Sequence, residues 1–203
     1  MAELTEIDID SLLGLNIPSF RVIVEDSVTV GVRGRTLSSP NRRWMLKRIK
    51  TAGINTMIDL RAGDLSDSFA SDCEEAELEY LHFPMDKFRT AAAVIISNLP
   101  KFIQTINSGK FYISCALGLH RTDIALSLHY IFDPKNHEPP VLYGHITDGK
   151  LRYDDIFQRA GSIYHNLTEA DRKQLGWDDS FEQEYAARKK ELIRWQEKYI
   201  NLS

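Results

Sequence analysis

The sequence has little cysteine and no long apolar run, and each absence excludes a class of protein. Its 203 residues include two cysteines, which cannot form a disulfide framework and which suit a reducing compartment. No stretch approaches the roughly 20 apolar residues that crossing a bilayer requires, and the acidic start MAELTEIDID lacks the basic residues of a signal peptide. We therefore expect a cytoplasmic protein without a membrane span.

The chain also lacks a block of basic residues. Its 25 Lys and Arg against 29 Asp and Glu give a net charge of −4 at pH 7. Proteins that bind nucleic acid neutralise phosphates with clustered Lys and Arg, so we expect no nucleic acid partner. A hydrophobic content of 43% with 27% charged residues is typical of a soluble globular chain, and the length allows one full domain with extensions.

Short apolar runs predict the strands. The β-rich segment 20–32 is interrupted by the polar turn Glu25-Asp26-Ser27, which predicts a hairpin. Three further apolar runs predict strands at Ile54–Leu60, Leu78–Phe83 and Lys110–Cys115.

Helical patterns lie between these strands. They cover Pro40–Ala52, a stripe of Leu65, Phe69, Cys73 and Ala76, then Ala91–Ile106 and Arg121–Phe132. Pro100 should kink or split the third of these helices. The fourth shows Ile124, Leu128 and Ile131 on one face.

Strands that alternate with helices at this spacing argue for parallel strands joined by helical crossovers. We predict an α/β fold over residues 20–132, with a central, mostly parallel sheet flanked by helices. Residues 1–19 would be an N-terminal extension. Residues 133–203 would be a C-terminal helical extension that packs on the same domain, its last helix marked by a stripe of Phe181, Tyr185, Leu192, Trp195 and Tyr199.

One strand end carries an unusual run, SCALGLHRT at 114–122. A cysteine ends the strand, a loop containing a glycine follows, and an arginine opens the next helix. Backbone N–H groups of such a loop, together with the helix dipole, form a cradle for an anion, and the same field favours the thiolate form of Cys115. Arg121 offers two N–H donors suited to two phosphate oxygens, and Thr122 could hydrogen-bond the sulfur.

The pattern Cys-x5-Arg-Thr between a strand and a helix resembles the signature of the protein tyrosine phosphatase superfamily, including its dual-specificity branch. The part from Gly118 to Thr122 is most similar to the atypical dual-specificity phosphatases of plants, fungi and bacteria. The stretches VRGR at 32–35 and GINTMIDLR at 53–61 also resemble the N-terminal half of these enzymes. The resemblance covers about residues 20–132 and implies a phosphatase-like fold and a hydrolase that needs no cofactor.

The resemblance also implies a role for each residue of the motif. Cys115 would be the nucleophile that forms a phosphocysteine, Arg121 would bind the phosphate, and Thr122 would assist departure of the sulfur. Asp86, on the loop after the preceding strand, would be the general acid and base, with Asp64 and Asp59 as fallback candidates. The substrate-binding residues would be Ala116, Leu117, Gly118, Leu119, His120 and Arg121.

Three features of the sequence depart from the family pattern. Ser114 stands where the family usually has a histidine that organises the loop, so we expect weakened activity. Asp123 stands where glycine is common, and a carboxylate near an anion site should repel substrate unless it points away. Leu117 and Leu119 replace the basic side chains of relatives that cleave inositol phosphates. We therefore expect a phosphorylated partner of the phosphotyrosine or dual-specificity type first, and a phosphoinositide or inositol phosphate second.

Other functions stay open at this point. A pseudophosphatase that binds phosphorylated partners without turnover is the main alternative, and a sulfurtransferase also places a cysteine on such a loop, although a shorter one. The histidines outside the motif lack the clustering of metal ligands, so we expect no metal: His82, His129, His137, His145 and His165.

Several residues have two interpretations. Cys73 is either core filler or a resolving thiol that pairs with Cys115 on oxidation. Arg33 and Arg35 lie in a segment that can border the pocket in the family. The basic cluster of a predicted helix is either a solvated face or a contact for a phosphorylated substrate or lipid: Arg42, Arg43, Lys47, Arg48 and Lys50.

Overall fold

The computed structural model describes most of the chain, namely residues 6–25, 28–38, 40–62, 67–85, 91–133, 135, 138–144, 146–147, 150–151, 154–177 and 180–200. The chain divides into two compact units. The sheet unit consists of Met1–Asp86 and Thr105–Gly118, and the helical unit consists of Lys87–Gln104 and Leu119–Ser203.

The sheet unit contains a five-stranded sheet. Its strands are β1 (Arg21–Glu25), β2 (Val28–Arg35), β3 (Thr56–Asp59), β4 (Glu79–His82) and β5 (Phe111–Cys115). Their order in the sheet is β1-β2-β5-β3-β4, and only β1 runs antiparallel to its neighbour. The predicted hairpin and the predicted mostly parallel α/β sheet are both confirmed, while the hairpin turn at 26–27 lies outside the described residues.

Four parallel strands end at the same edge of the sheet. The register pairs Cys115 with Arg35 of β2, Ser114 with Asp59 of β3, and Asp59 with His82 of β4. All five residues of β5 are buried, as expected of a central strand that is covered on both faces. In an open α/β sheet this carboxyl edge is where ligands bind.

Eight helices are described. They are α1 (Ile9–Leu13), α2 (Arg42–Thr51), α3 (Asp67–Glu75), α4 (Ala91–Ser108), α5 (His120–Phe132), α6 (Asp154–Asn166), α7 (Glu169–Gln174) and α8 (Phe181–Ile200), with a short hairpin of β6 (Ile146–Thr147) and β7 (Lys150–Leu151) between α5 and α6. Pro100 was predicted to kink or split this helix; α4 continues through it, so the helix is not split. Burial of Leu99, Phe102 and Ile103 offsets the hydrogen bond that a proline removes.

The first three helices share one hydrophobic core with the sheet. Leu12 of α1, Leu46 of α2 and Phe69 of α3 join Met57 of β3 and Tyr112 of β5 in a single buried cluster. The N-terminal segment therefore contributes to the core of the sheet unit through α1.

The helical unit is built around α5. Every residue from Thr122 to Phe132 is buried, so α5 is buried all round and not only on the one face that the sequence predicted. Helices α6 and α8 both pack against α5. On α8 the predicted stripe is buried at Phe181, Tyr185 and Leu192, and Phe132 stacks on Trp177 with ring centres 5.4 Å apart.

No helix in the described part of the chain is long and apolar enough to cross a membrane.

Candidate active site

Cys115 is the last residue of β5, at the carboxyl edge of the sheet. It is 2% exposed. Its carbonyl oxygen accepts three hydrogen bonds, from the backbone N–H of Thr36 (3.0 Å), the hydroxyl of Thr36 (3.0 Å) and the N–H of Gly118 (3.1 Å). These bonds fix the backbone of the proposed nucleophile to the residue that follows β2.

The loop after Cys115 turns back against β2. Gly118 has φ +70°, and a Cβ atom there would lie 2.2 Å from the carbonyl carbon of Gly34 and 2.5 Å from the nitrogen of Arg35. No side chain fits in this space, so the turn requires glycine. The nearby Leu117 is 49% exposed.

Arg33 of β2 forms a hydrogen bond with this loop. Its side chain is buried, and Nη2 donates a hydrogen bond to the Gly118 carbonyl oxygen at 3.1 Å. A buried guanidinium that donates to a loop carbonyl positions the loop. The sequence suggested Arg33 as a residue at the pocket border, and the structure gives it this contact with the loop backbone.

Ser114, which replaces the usual histidine, is fully buried. Its hydroxyl oxygen lies 3.4 Å from the Thr36 hydroxyl and 3.5 Å from the Ile58 carbonyl oxygen. Thr36 thus contacts both Ser114 and Cys115. Sequence analysis missed Thr36, because a threonine that follows a strand carries no motif of its own.

A second polar cluster lies at the ends of β3 and β4. Asp59 forms an ion pair with Arg61 at 2.6 Å and accepts a hydrogen bond from the Tyr80 hydroxyl at 3.0 Å. Burial, followed by the charge of Asp59, raises the pKa of Tyr80, so this hydroxyl stays a donor. Because Arg61 and Tyr80 occupy its carboxylate, Asp59 is not favoured as the acid. The predicted acid Asp86 and the other fallback, Asp64, lie outside the described residues.

The remaining motif residues lie at the start of α5, in the helical unit. His120 is exposed, Arg121 is partly buried and Thr122 is fully buried. The Thr122 hydroxyl has no hydrogen-bond partner among the described residues. The predicted substrate-binding residues are exposed at positions 116, 117 and 120 and half-buried at positions 119 and 121.

Asp123 is turned into the protein. It is fully buried, and its Oδ2 accepts a hydrogen bond from the Gly144 N–H at 2.6 Å. This carboxylate was expected to repel substrate unless it points away; it is buried and holds the backbone of Gly144 against α5. The sequence offered no signal for this contact, since the two residues belong to different segments.

The second cysteine has a different environment. Cys73 is fully buried on α3, and burial raises the pKa of its thiol to about 12. Such a thiol is protonated at neutral pH and chemically inert.

The basic cluster of α2 is largely paired with acidic residues of α3. Arg42 and Arg43 both donate to Asp72, at 2.5 and 2.6 Å, and Lys47 lies 3.2 Å from Glu75. These ion pairs give the cluster a structural function in joining the two helices. Within the described residues no group of three or more potential metal ligands occurs.

No protein-family model and no curated protein matches the sequence. Among solved structures, similar chains include TpbA of P. aeruginosa (14% identity, 72% of this chain and 86% of that chain, TM-score 0.45). Tk-PTP in its active form is 15% identical over 86% of this chain and 96% of that chain, with a TM-score of 0.45. The core catalytic domain of the PP-IP phosphatase SIW14 from S. cerevisiae, in complex with citrate, is 11% identical over 85% of this chain and 94% of that chain, also with a TM-score of 0.45.

Of these three structures, SIW14 is named as a phosphatase. Identities of 11–15% and TM-scores below 0.5 do not define an activity for this chain. Its function is therefore inferred from its own residues.

Proposed function

We propose that the chain is a cysteine-dependent phosphatase that hydrolyses phosphate monoesters. The observation that carries the proposal is the local structure of the motif. Cys115 ends a buried central strand, Gly118 turns the loop at φ +70°, α5 begins at His120, and Arg121 follows in its first turn. A strand, a tight loop and a helix N-terminus in this order suit the binding of a phosphate.

The proposed reaction has two steps. The Cys115 thiolate attacks phosphorus, a P–S bond forms, and the P–O ester bond breaks while Asp86 donates a proton to the leaving oxygen. Water then attacks the phosphocysteine, Asp86 accepts its proton, and phosphate and the thiolate are released. Arg121 and the backbone N–H groups of the loop stabilise the charge on the phosphoryl oxygens.

Two hydroxyl groups support this chemistry. The Thr122 hydroxyl, which is buried and lacks a partner among the described residues, is available to donate to the sulfur when it departs. Thr36 fixes the carbonyl of Cys115 from β2, which supports a rigid nucleophile despite the absence of the usual histidine at Ser114. A nucleophile whose backbone is fixed in this way favours catalysis over binding alone.

The loop favours a single phosphate on an apolar or aromatic group. It contains no Lys or Arg between Cys115 and Arg121, and Leu117 presents half of its side chain to solvent. Highly anionic ligands need several cationic groups, which this loop lacks. We therefore rank phosphotyrosine or dual-specificity substrates first and phosphoinositides or inositol phosphates second.

The second candidate function is a pseudophosphatase, and Ser114 is the observation that favours it. A fully buried serine cannot reproduce the hydrogen bonds of an imidazole in the loop. In that case the site would bind phosphorylated partners without hydrolysing them.

Phosphate release from a panel of substrates tests the proposal. The panel contains p-nitrophenyl phosphate, a phosphotyrosine peptide, a phosphoserine peptide, phosphoinositides and inositol hexakisphosphate, all with EDTA present. We expect release that survives chelation, is greatest with the phosphotyrosine peptide and is abolished by Cys115→Ser, because the nucleophile is lost. Cys73→Ala is the matched control and should retain activity, since it removes the other, inert thiol.

Two results would contradict the proposal. Activity that persists in Cys115→Ser would remove the cysteine from the reaction. Absence of turnover on every substrate, with phosphopeptide binding intact, would establish the pseudophosphatase. Alkylation by iodoacetamide at pH 6 gives an independent measure, because a thiolate at Cys115 reacts rapidly whereas the protonated Cys73 does not.

A further inference from the structure

The edge strand β1 exposes apolar side chains. Within the described residues β1 pairs with β2 alone, so its other side is an open edge. Val22 is 41% exposed and Val24 is 49% exposed. An exposed strand edge with apolar side chains is a template for pairing with another strand.

Two common protections of an edge, lysine and proline, are absent from this strand, and its two charged residues, Arg21 and Glu25, stand at its ends. Lysine, proline or a bulge in the edge strand normally prevents pairing, and the sequence of β1, RVIVE, contains neither Lys nor Pro. A register shift does occur between Ile23 and Val24, but the unpaired residue, Val30, belongs to β2. The residues of β1 itself run without interruption.

The charges of β1 are complementary to those of a second β1 strand that runs antiparallel to it. In an antiparallel pair of β1 strands centred on Ile23, residue 21 of each copy stands opposite residue 25 of the other. Because residue 21 is arginine and residue 25 is glutamate, this register places opposite charges in opposed positions at both ends of the pair. Val22 faces Val24 of the second copy in both halves, and Ile23 faces Ile23. Opposite charges and β-branched residues in directly opposed positions stabilise a strand pair.

We propose that two copies of this chain associate through β1, in an antiparallel arrangement centred on Ile23. The two sheets then form one continuous sheet across a two-fold axis. Such an interface is isologous, since the same strand contributes on both sides. A five-residue strand pair buries little surface, so the dimer forms reversibly at the weak end of protein–protein affinities.

Charge reversal tests the pairing. Sedimentation equilibrium from micromolar to millimolar protein measures dimerisation of the full chain. We expect Arg21→Glu and Glu25→Arg each to weaken it about tenfold or more, because each places like charges opposite one another at both ends. An equimolar mixture of the two variants should form heterodimers, since every opposed pair is then complementary again. Arg194→Glu, an exposed reversal on α8, is the matched control and should dimerise like the unmodified protein.

Cysteine cross-linking tests the register. In a Cys115→Ser background, Ile23→Cys should form a disulfide-linked dimer under mild oxidation, because opposed Cα atoms of antiparallel strands lie roughly 4.5–5.5 Å apart. Val22→Cys and Val24→Cys should cross-link efficiently only when mixed. Thermal unfolding of each variant confirms that the chain is folded.

Three outcomes would overturn the proposal. The unmodified protein could remain monomeric up to millimolar concentration. A dimer could be insensitive to both reversals, which would place the interface elsewhere. The mixture of reversed variants could also fail to form heterodimers, which would exclude this register even if each single variant were weakened.

Discussion

Gly118 combines two constraints at one position. Its φ of +70° is a conformation that other residues rarely adopt, and its Cα approaches the backbone of Gly34 and Arg35 too closely for a side chain. The loop that follows the proposed nucleophile can therefore take this path only with glycine.

We expect Gly118→Ala to lower the free energy of unfolding by about 2–4 kcal/mol, through the positive φ and the displaced backbone. Gly176→Ala is the matched control, because Gly176 has φ +77° but no atom within 4 Å of the added Cβ. That variant should lose only about 1 kcal/mol. Urea unfolding of both variants measures the difference, and equal losses would show that the contact with β2 is unimportant.

The start of α5 is held by a contact between elements. Asp123 accepts the N–H of Gly144, and both groups lie in the helical unit. A buried carboxylate that accepts a backbone N–H satisfies two polar groups at once. The position of α5 thus depends on a segment that follows it in the chain.

We expect Asp123→Ala to reduce the free energy of unfolding by about 1–3 kcal/mol, since the part-buried N–H of Gly144 loses its acceptor. Asp123→Asn should lose less, because the amide oxygen can still accept this hydrogen bond. Thermal unfolding of the two variants compares them. Equal destabilisation by Ala and Asn would instead show that the charge of Asp123, and not this hydrogen bond, is what stabilises the protein.

At the scale of the molecule, the N-terminal segment belongs to the core of the sheet unit. Leu12 of α1 is fully buried together with Leu46 and Met57. The neighbouring Leu13 is 54% exposed. Two adjacent leucines on one short helix therefore have opposite environments.

This difference predicts opposite results for two similar substitutions. Leu12→Ala should lower the free energy of unfolding by about 2–5 kcal/mol, because it leaves a cavity in the core. Leu13→Ala should change it by less than about 0.5 kcal/mol. Chemical denaturation checks both. A small effect of Leu12→Ala would mean that α1 does not stabilise the sheet unit.

Local patterns were sufficient to predict the five strands of the sheet, the four helices α2 to α5 and the motif, but not α1 or the short strands β6 and β7. The strand that ends at Cys115, the loop glycine and the helix that carries Arg121 and Thr122 are neighbours in sequence, so their periodicity and residue types determine them directly. The order of strands and helices also predicted the mostly parallel sheet, because parallel strands need helical crossovers. The sequence left open whether Pro100 kinks or splits its helix, because the local effect of proline competes with burial of the neighbouring apolar side chains, which only the fold reveals.

The contacts that support the motif come from tertiary structure alone. Arg33 and Gly118 are 85 residues apart in sequence, Thr36 and Cys115 are 79 apart, and Asp123 and Gly144 are 21 apart. No local pattern encodes such pairs, because the register between β2 and β5 and the packing around α5 decide which groups meet. The sequence by itself determined which residues carry the proposed chemistry. The tertiary structure decided what holds them in place, since a buried polar group must find its partner wherever the fold brings one.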